Sequence, residues 1–392
     1  MSIGSISITN DPVVGVSEFT DNLVAGSDSA WAPNSYGHEI RAMGGFWSAG
    51  FDILPNRLGI EYLNEYLLNG LGRKVSAYTQ ESGALAFEGK IMRMRLHIHG
   101  VSVQVSLENM TNKTWVRYLT SEGGLIKRST VQEDSGSQTA YGIKEVVNSG
   151  AIIPSSTIAD QVASAYLKEY STPTRTRISI EVGRNTDQDI SLSVFCHGYF
   201  RTLNWRTYNQ TALQTLQTVD EQIQDVIDDV GQFINSSNLA TNISLVSRVY
   251  DRDELAGNII LDLSRLADSS NNRYVVGVYK DRLLKYEQAA TLTNEEDIRY
   301  TFRMRDNKQV FNRAGTDREL SPAEVRPNNW MRITDIFPGQ IIHDTDLSKD
   351  PQTTFVESVI FREPIGVSIP SNRAVQVDNL LAKSGFGGAS QI

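Results

Sequence analysis

Five histidines and a single cysteine carry the broadest chemistry in this chain, and their spacing tests for metal binding and nucleophilic catalysis. His97 and His99 lie two apart, and on a strand such a pair faces one way and can ligate a cation. His343, Asp344 and Asp346 can add ligands from another loop. Arg95 beside His97 opposes a cation and His99 falls in a turn, so the set reads as polar surface, with no metal site expected. Cys196 excludes an intrachain disulfide and a thiolate zinc cluster. It sits in the apolar run 193–199, where neighbouring strand residues face opposite sides, so His197 does not activate it and the thiol reads as buried and structural.

The acids are equally uncommitted. Adjacent pairs such as Asp228 with Asp229 and Glu295 with Glu296 are solvated faces by default. A glycosidase needs two carboxylates ~5–9 Å apart across a cleft, which no spacing here demonstrates. There is no glycine-rich phosphate loop ending in Lys and Ser or Thr, no Gly-x-Ser-x-Gly elbow and no His-Glu-x-x-His. No catalytic residue and no cofactor is therefore expected. The acidic face Asp220, Glu221, Asp225, Asp228 and Asp229 contains no lysine or arginine. It reads either as ordinary solvation or as a negative wall, a channel or interface face that repels passing DNA.

Composition bounds the class. With 392 residues, 40% hydrophobic and 21% charged, the chain can bury a large interior in two to four domains. A net charge of -9 argues against a dedicated nucleic-acid binder, and the arginine-bearing stretch from Ile298 to Arg305, which follows Glu295, Glu296 and Asp297, reads as a solvated mixed-charge face rather than a DNA groove. No apolar run approaches the ~18 residues of a membrane span, and Met1 to Val16 lacks the signal-peptide pattern, so the chain is expected to remain in the cytosolic compartment unless an assembly carries it out.

The elements that must position these groups are mostly strands. Met92, Met94, Leu96 and Ile98 occupy even positions, then parity switches to Val101, Val103, Val105 and Leu107. A two-residue turn at His99 and Gly100 pairs 98 with 101, 96 with 103, 94 with 105 and 92 with 107, so one face is apolar and the other carries Arg93, Arg95, His97, Ser102, Gln104 and Ser106. Bent strands are expected from His38 to Ile53, then a helix from Leu54 to Leu71 on the stripe Ile60, Leu63, Tyr66, Leu67 and Leu71. Strands resume at Lys74 to Thr79, Leu85 to Ile98, Val101 to Glu108 and Thr114 to Leu119, giving a mostly antiparallel sheet or small barrel with one packed helix. Ser121 to Gln138 reads as a loop, Thr157 to Tyr170 as a helix, and Arg175 to Val182 and Ile190 to Trp205 as strands.

Thr218 with Glu221 three residues on makes a capping box for a helix striped by Ile223, Val226, Ile227, Val230, Phe233 and Ile234. A strand at Ile243 to Val249 follows, then a second helix from Asp251, with Glu254 as start signal and Leu255, Ile259, Leu263 and Leu266 inward. Tyr274 to Tyr279 and Leu283 to Tyr286 form a hairpin about Lys280 and Asp281. Later strands are expected at Ile298 to Met304, Asn329 to Ile336 and Phe355 to Phe361, with a flexible end from Ser384. The resulting fold class is α+β and β-rich. Its expected parts are 1–130 with one helix, 131–215 with one helix, the α+β module 216–290, a β-rich segment 291–383 and a tail 384–392.

In this order of elements Thr218 to Gln288 resembles the α+β module of bacteriophage tail hub proteins: the baseplate central hub, late-control tail proteins and tail-associated proteins. The helix beginning Glu221-Gln222-Ile223-Gln224-Asp225-Val226-Ile227, a second one at Glu254 to Ala267 and the hairpin Tyr274 to Leu284 carry the likeness. The segment Val325 to Ile336 is similar to the late barrel segment of these hubs. The resemblance covers His38 to Pro370 by element order and implies tube-type antiparallel β-barrel domains with this module inserted. It further implies a virion protein assembled in the host cytoplasm. As a homotrimeric ring it would join a sixfold tail tube or distal tail protein above to a threefold tip or spike protein below. DNA would pass through the lumen without specific binding. Two other classes stay open. A receptor- or carbohydrate-binding tail protein needs a groove of exposed aromatics, whereas Trp31, Trp47, Trp115, Trp205 and Trp330 lie among apolar strand neighbours. A cell-envelope hydrolase of the tail tip needs a single acid or histidine whose loss abolishes turnover. An intracellular scaffold unrelated to viruses is a third.

Overall fold

The computed structural model describes residues 3–289 apart from 16–17, 26–29, 33–34, 56–58, 81–82, 99–100, 122–123, 181–189, 211–216 and 247, and beyond them 300–305, 308–313, 319–320, 341–344, 352–355, 357–363 and 366–368. The first part of the chain builds β1 (Ile3–Thr9), β2 (Asp21–Val24), β3 (Gly37–Arg41), β4 (Met43–Ile53), α1 (Gly59–Asn69), β5 (Lys74–Thr79), β6 (Leu85–Ile98) and β7 (Val101–Ser106). Next come β8 (Lys113–Leu119), β9 (Ile126–Arg128), β10 (Gln132–Glu133), α2 (Ser135–Tyr141), β11 (Glu145–Ile152), α3 (Ser156–Tyr170), β12 (Thr174–Ile180) and β13 (Ile190–Gly198). A 3-10 turn at Tyr199–Trp205 leads to β14 (Thr207–Tyr208), α4 (Val219–Val230), β15 (Ser236–Leu239), β16 (Glu254–Leu255), α5 (Ala256–Ser264), β17 (Tyr274–Val278) and β18 (Leu283–Gln288). The later described strands are β19 (Tyr300–Arg305), β20 (Lys308–Arg313), β21 (Glu319–Leu320), β22 (Ile341–Asp344), β23 (Gln352–Phe355), β24 (Ser358–Arg362) and β25 (Gly366–Ser368).

The hairpin forms in the register that the parity switch dictates: Ile98 faces Val101, Leu96 faces Val103 and Met94 faces Val105. The Leu107 N–H donates to Met92 O at 2.8 Å, which continues the pairing. His99 and Gly100 lie outside the described residues. Each buried side chain of leucine size in this ladder contributes roughly 1.5–3 kcal/mol.

A fourteen-stranded sheet dominates the described residues, in the order β15-β18-β17-β4-β13-β6-β5-β1-β2, with β3, β7, β12, β24 and β25 branching from it. It does not close on itself among those residues. The branches arise because two long strands change partner along their length. β6 gives Lys90 to Leu85 to β5 and Arg93 to Ile98 to β7, while β13 runs along its other edge with a register shift between Phe195 and Cys196. β4 likewise gives Met43–Gly45 to β17 and Ser48–Ile53 to β13. Most pairs are antiparallel, but β17 with β4, β15 with β18 and β11 with β8 are parallel. The chain is therefore α+β and β-rich, with mixed sheets.

The interior holds two main apolar clusters. One joins β1, α1, β5, both halves of β6, β13 and Phe361. A second gathers Met92, Leu107, the 3-10 turn, α4, α5 and the hairpin β17-β18. The amphipathic stripe of α4 lies inward as the periodicity requires, and its capping box is made: the Thr218 N–H donates to Glu221 Oε2 at 2.9 Å.

Several expectations are corrected. Part of Ser121–Gln138 is not loop: β9, β10 and the start of α2 lie there, because Asp134 accepts the Ser137 N–H at 3.0 Å and caps a helix that serines had disguised. The strand expected to reach Trp205 stops at Gly198, and the following aromatics are buried in a 3-10 turn instead. The strand of the α+β module is Ser236–Leu239 rather than 243–249, where Ile243 and Leu245 stand exposed and Leu245 makes only an isolated bridge to Thr218. The helix expected from Asp251 starts at Ala256, since Glu254 pairs in β16 and binds Arg248 at 2.6 Å. Leu266 is exposed rather than inward. Asn329 to Ile336, Trp330, Asp346 and the tail from Ser384 lie outside the described residues.

Glycines permit the fork. A Cβ on Gly277 would lie 2.4 Å from Gly45 N, and one on Gly45, at φ +71°, would lie 2.4 Å from Val278 O. Gly277→Ala is expected to lower stability by roughly 1–3 kcal/mol through forced separation of β17 from β4, read as a lower urea midpoint.

Candidate functional site

Where the two clusters meet, the chain buries charge. Lys90 and Asp11 are both essentially inaccessible, with Nζ 3.6 Å from Oδ2. The Lys90 ammonium also donates to Tyr141 O at 3.2 Å and lies 3.9 Å from the Phe233 ring centroid. Burial pushes Lys90 down to about 8, against the opposing pull of Asp11. Asp11 accepts the Tyr199 hydroxyl at 3.2 Å and the N–H groups of Val13 and Val14, which fixes the segment after β1. Nearby, buried Glu88 accepts the Arg282 N–H at 3.0 Å and pairs with Lys74 at 2.8 Å. These groups are consumed in holding β1, β6, the 3-10 turn and the hairpin together. A surface groove of about 450 Å³ borders Asp11, but the carboxylate is turned to its partners.

A second tie sits at Glu145, also buried. It accepts the Thr207 N–H at 2.8 Å and hydroxyl at 3.1 Å, and pairs with Lys113 at 3.1 Å and Arg206 at 3.4 Å. It locks β11 to β14.

The outer face of β4, β13, β6 and β7 is different, because its cations are not fully matched. Register places Phe195 beside Arg93 and Ser193 beside Arg95, with Gln104 next to Arg95 on β7. Arg93 stacks 4.3 Å from the Phe195 ring centroid and lies 3.4 Å from Glu108. His197 approaches the same carboxylate at 3.8 Å. Burial, then Arg201, Lys144 and Arg93, push His197 down to about 3, so the imidazole is neutral in a positive field. Arg41 and Arg201 both cover the half-buried Trp47, at 4.1 and 5.1 Å, and Arg41 binds Glu39 at 2.6 Å. Trp47 thus packs against the second apolar cluster, as its apolar neighbours implied, and also lies under two guanidinium groups as the floor of a cationic patch.

The five acids singled out from sequence do share α4, but they do different things. Glu221 completes the capping box, and Asp220 accepts the Asn242 N–H at 3.1 Å. Asp225 binds Gln217, and Asp228 accepts Gln224 Nε2 at 2.6 Å. Asp228 and Asp229 are exposed and border a groove of about 530 Å³ with Arg206, Gln232 and Ser236. Among the described residues none of the five forms an ion pair. His97 lies on β6 opposite Ser102, and His343 and Asp344 on β22. No three ligating side chains converge among the described residues, and no described helix is long and apolar enough to cross a membrane. Cys196 is buried, and burial pushes its thiol well above the usual range.

Sequence reading passed over His38. It is buried between Tyr36, Phe87 and Phe361, with ring centroids at 5.6, 6.4 and 5.3 Å. Burial lowers it to about 3.

The arrangement defines an α+β, β-rich protein whose polar groups position strands and offer charged faces. The chain matches no protein-family model and no curated protein. Among solved structures it matches the tail protein from Neisseria meningitidis MC58, at 10% identity and TM-score 0.39 over 93% of this chain and 94% of that one. It also matches the 43 kDa tail protein of prophage MuSo2 from Shewanella oneidensis, at 8% identity and TM-score 0.41 over 96% and 98%.

Two outcomes follow from the buried groups. Lys90→Met strands the Asp11 carboxylate and should cost roughly 3–5 kcal/mol, whereas adding Asp11→Asn should cost less than the sum of the single changes in a urea double-mutant cycle. For His38 and His197, the unfolded imidazoles bind protons near 6.5 and the folded ones only near 3. The unfolded state therefore holds more protons in that window, so stability is complete above it and declines as pH falls, by about 1.4 kcal/mol per pH unit per fully responding histidine. His38→Phe should reduce that slope, measured as urea midpoints across the window, by about one proton.

Proposed function

We propose that this chain is a structural protein of a phage tail, the central hub of a tail tip or baseplate. In this reading its sheets are walls of a ring that joins a sixfold tube to a threefold tip, with DNA passing through the lumen. One observation carries the reading: residues 219–288 run helix, strand, helix, hairpin, the order that resembles the hub module, and β17 of that hairpin is hydrogen-bonded directly to β4 of the main sheet. Module and wall are continuous. The interior supports a scaffold as well, because its buried charges close on one another. The terminal strands β2 and β15 of the sheet path have a partner on one side only among the described residues, and such edges are suited to pairing or cover by a neighbouring copy. Tube-type barrels would then be completed between subunits.

The expected solution species is a homotrimer, or a monomer that trimerises on isolated tail-tube ends, seen as a ring by negative-stain imaging and as a threefold mass by sedimentation velocity. A chain that stays monomeric in both settings overturns the proposal.

A further inference from the structure

Two faces of opposite sign lie on different parts of the chain, and among the described residues neither is fully neutralised: Arg206 donates to Asp229 O at 3.2 Å beside the acidic face, and Glu39 and Glu108 lie within the cationic one. On the outer side of β4, β13 and β6, the cations Arg41, Arg93 and Arg201 surround two carboxylates, Glu39 and Glu108, while Lys144 beside them is spent on the Leu107 and Glu108 carbonyls. The surplus is positive in a chain whose net charge is -9. The patch has a flat aromatic floor of Trp47 and Phe195, both half-buried under guanidinium groups. Guanidinium planes held this way keep their edge N–H groups available for carboxylates.

The second face is the C-terminal end of α4. Its last turn carries Asp228 and Asp229 and no basic residue. The partial negative charge at a helix C-terminus disfavours carboxylates there and favours cations. Among the described residues Asp228 has the amide of Gln224 as its side-chain partner, and both carboxylates are exposed.

We infer that the cationic aromatic face of one copy receives the acidic end of α4 from a second copy. Like-charged copies repel at distance, so their association needs a local pair of complementary patches to set orientation. Because the two patches are different surfaces, a head-to-tail contact repeated from copy to copy can close into a ring, the arrangement the hub reading requires. The inference rests on the hub reading and gives its ring a specific electrostatic joint. An alternative ligand for the cations is the phosphate backbone of DNA, which the test separates.

The experiment uses the full chain in sedimentation velocity at low and high salt. Arg41→Glu with Arg93→Glu reverses one face, and Asp228→Lys with Asp229→Lys reverses the other. The lysine pair suits the helix dipole, so its thermal unfolding should be no less stable than wild type. Each reversal alone should weaken self-association by at least about tenfold, and added salt should weaken the wild type. A mixture of the two reversed proteins should associate with each other in alternation, because every face of one then meets the opposite charge on the other, and both reversals in one chain should also restore assembly. Rings that form unchanged in both single-face variants overturn the joint but leave the hub reading standing. Loss in each without recovery in the combined variant also overturns the joint. If the arginine variant assembles normally but loses binding to short duplex DNA, the face reads phosphate and the inference fails. A wild type monomeric under all conditions removes both readings.

Discussion

Everything in this molecule depends on two strands that change partners midway. β4 and β6 are each too long for one neighbour, and each hands its hydrogen bonds from one strand to another along a single edge. A bulge against β13 between Ile91 and Arg93 accompanies the exchange in β6 and switches the side-chain parity, so Phe87 and Ile91 before it and Met94 and Leu96 after it face the same interior. Met92, at the bulge itself, packs in the other cluster. One continuous backbone thus couples the two halves mechanically. No flexible linker intervenes between β17 and the wall it extends.

The charged groups inherit their roles from this geometry. Where the clusters meet, polar backbone ends and bent strands leave groups that must be satisfied away from water. Asp11, Lys90, Glu88 and Glu145 do that work and are spent doing it. A catalytic carboxylate or amine would instead be directed into a cleft with a partner that tunes it. On the outside the balance reverses, since arginines lie flat on aromatic rings with fewer acids than they can bind.

Local patterns in the sequence foretold the parts whose stability is local. The β6-β7 register was legible because a shift of one residue would have turned Leu96 and Val103 to solvent. The start of α4 was legible because Thr218 and Glu221 satisfy each other's backbone groups. β15 was not, because Ser236, Ser237 and Asn238 carry no hydrophobic alternation and the strand is held by backbone pairing with β18. The lure at Ile243 and Leu245 was apolar content with no core beneath it. The acidic face was visible as a helix stripe, but the cationic patch was not, because it is assembled from β3, β6, the 3-10 turn and the segment before β11. Likewise nothing near Lys90 in sequence announces Asp11.

The pairing of β24 with β3 bears on how the molecule comes into being. Phe361 enters the same interior as Ile3 and Tyr36, and the Ile3 N–H donates to Glu363 at 2.7 Å across a separation of 360 residues. During synthesis the first sheet therefore waits, one edge of β3 unfilled and an aromatic site vacant, until residues 358–363 have left the ribosome. Loop closure over that span is slow to nucleate, and the waiting edge is open to wrong partners in the meantime. Completion of this sheet is thus tied to synthesis of β24, so a chain that stops short of it leaves the edge of β3 and the Phe361 site unfilled.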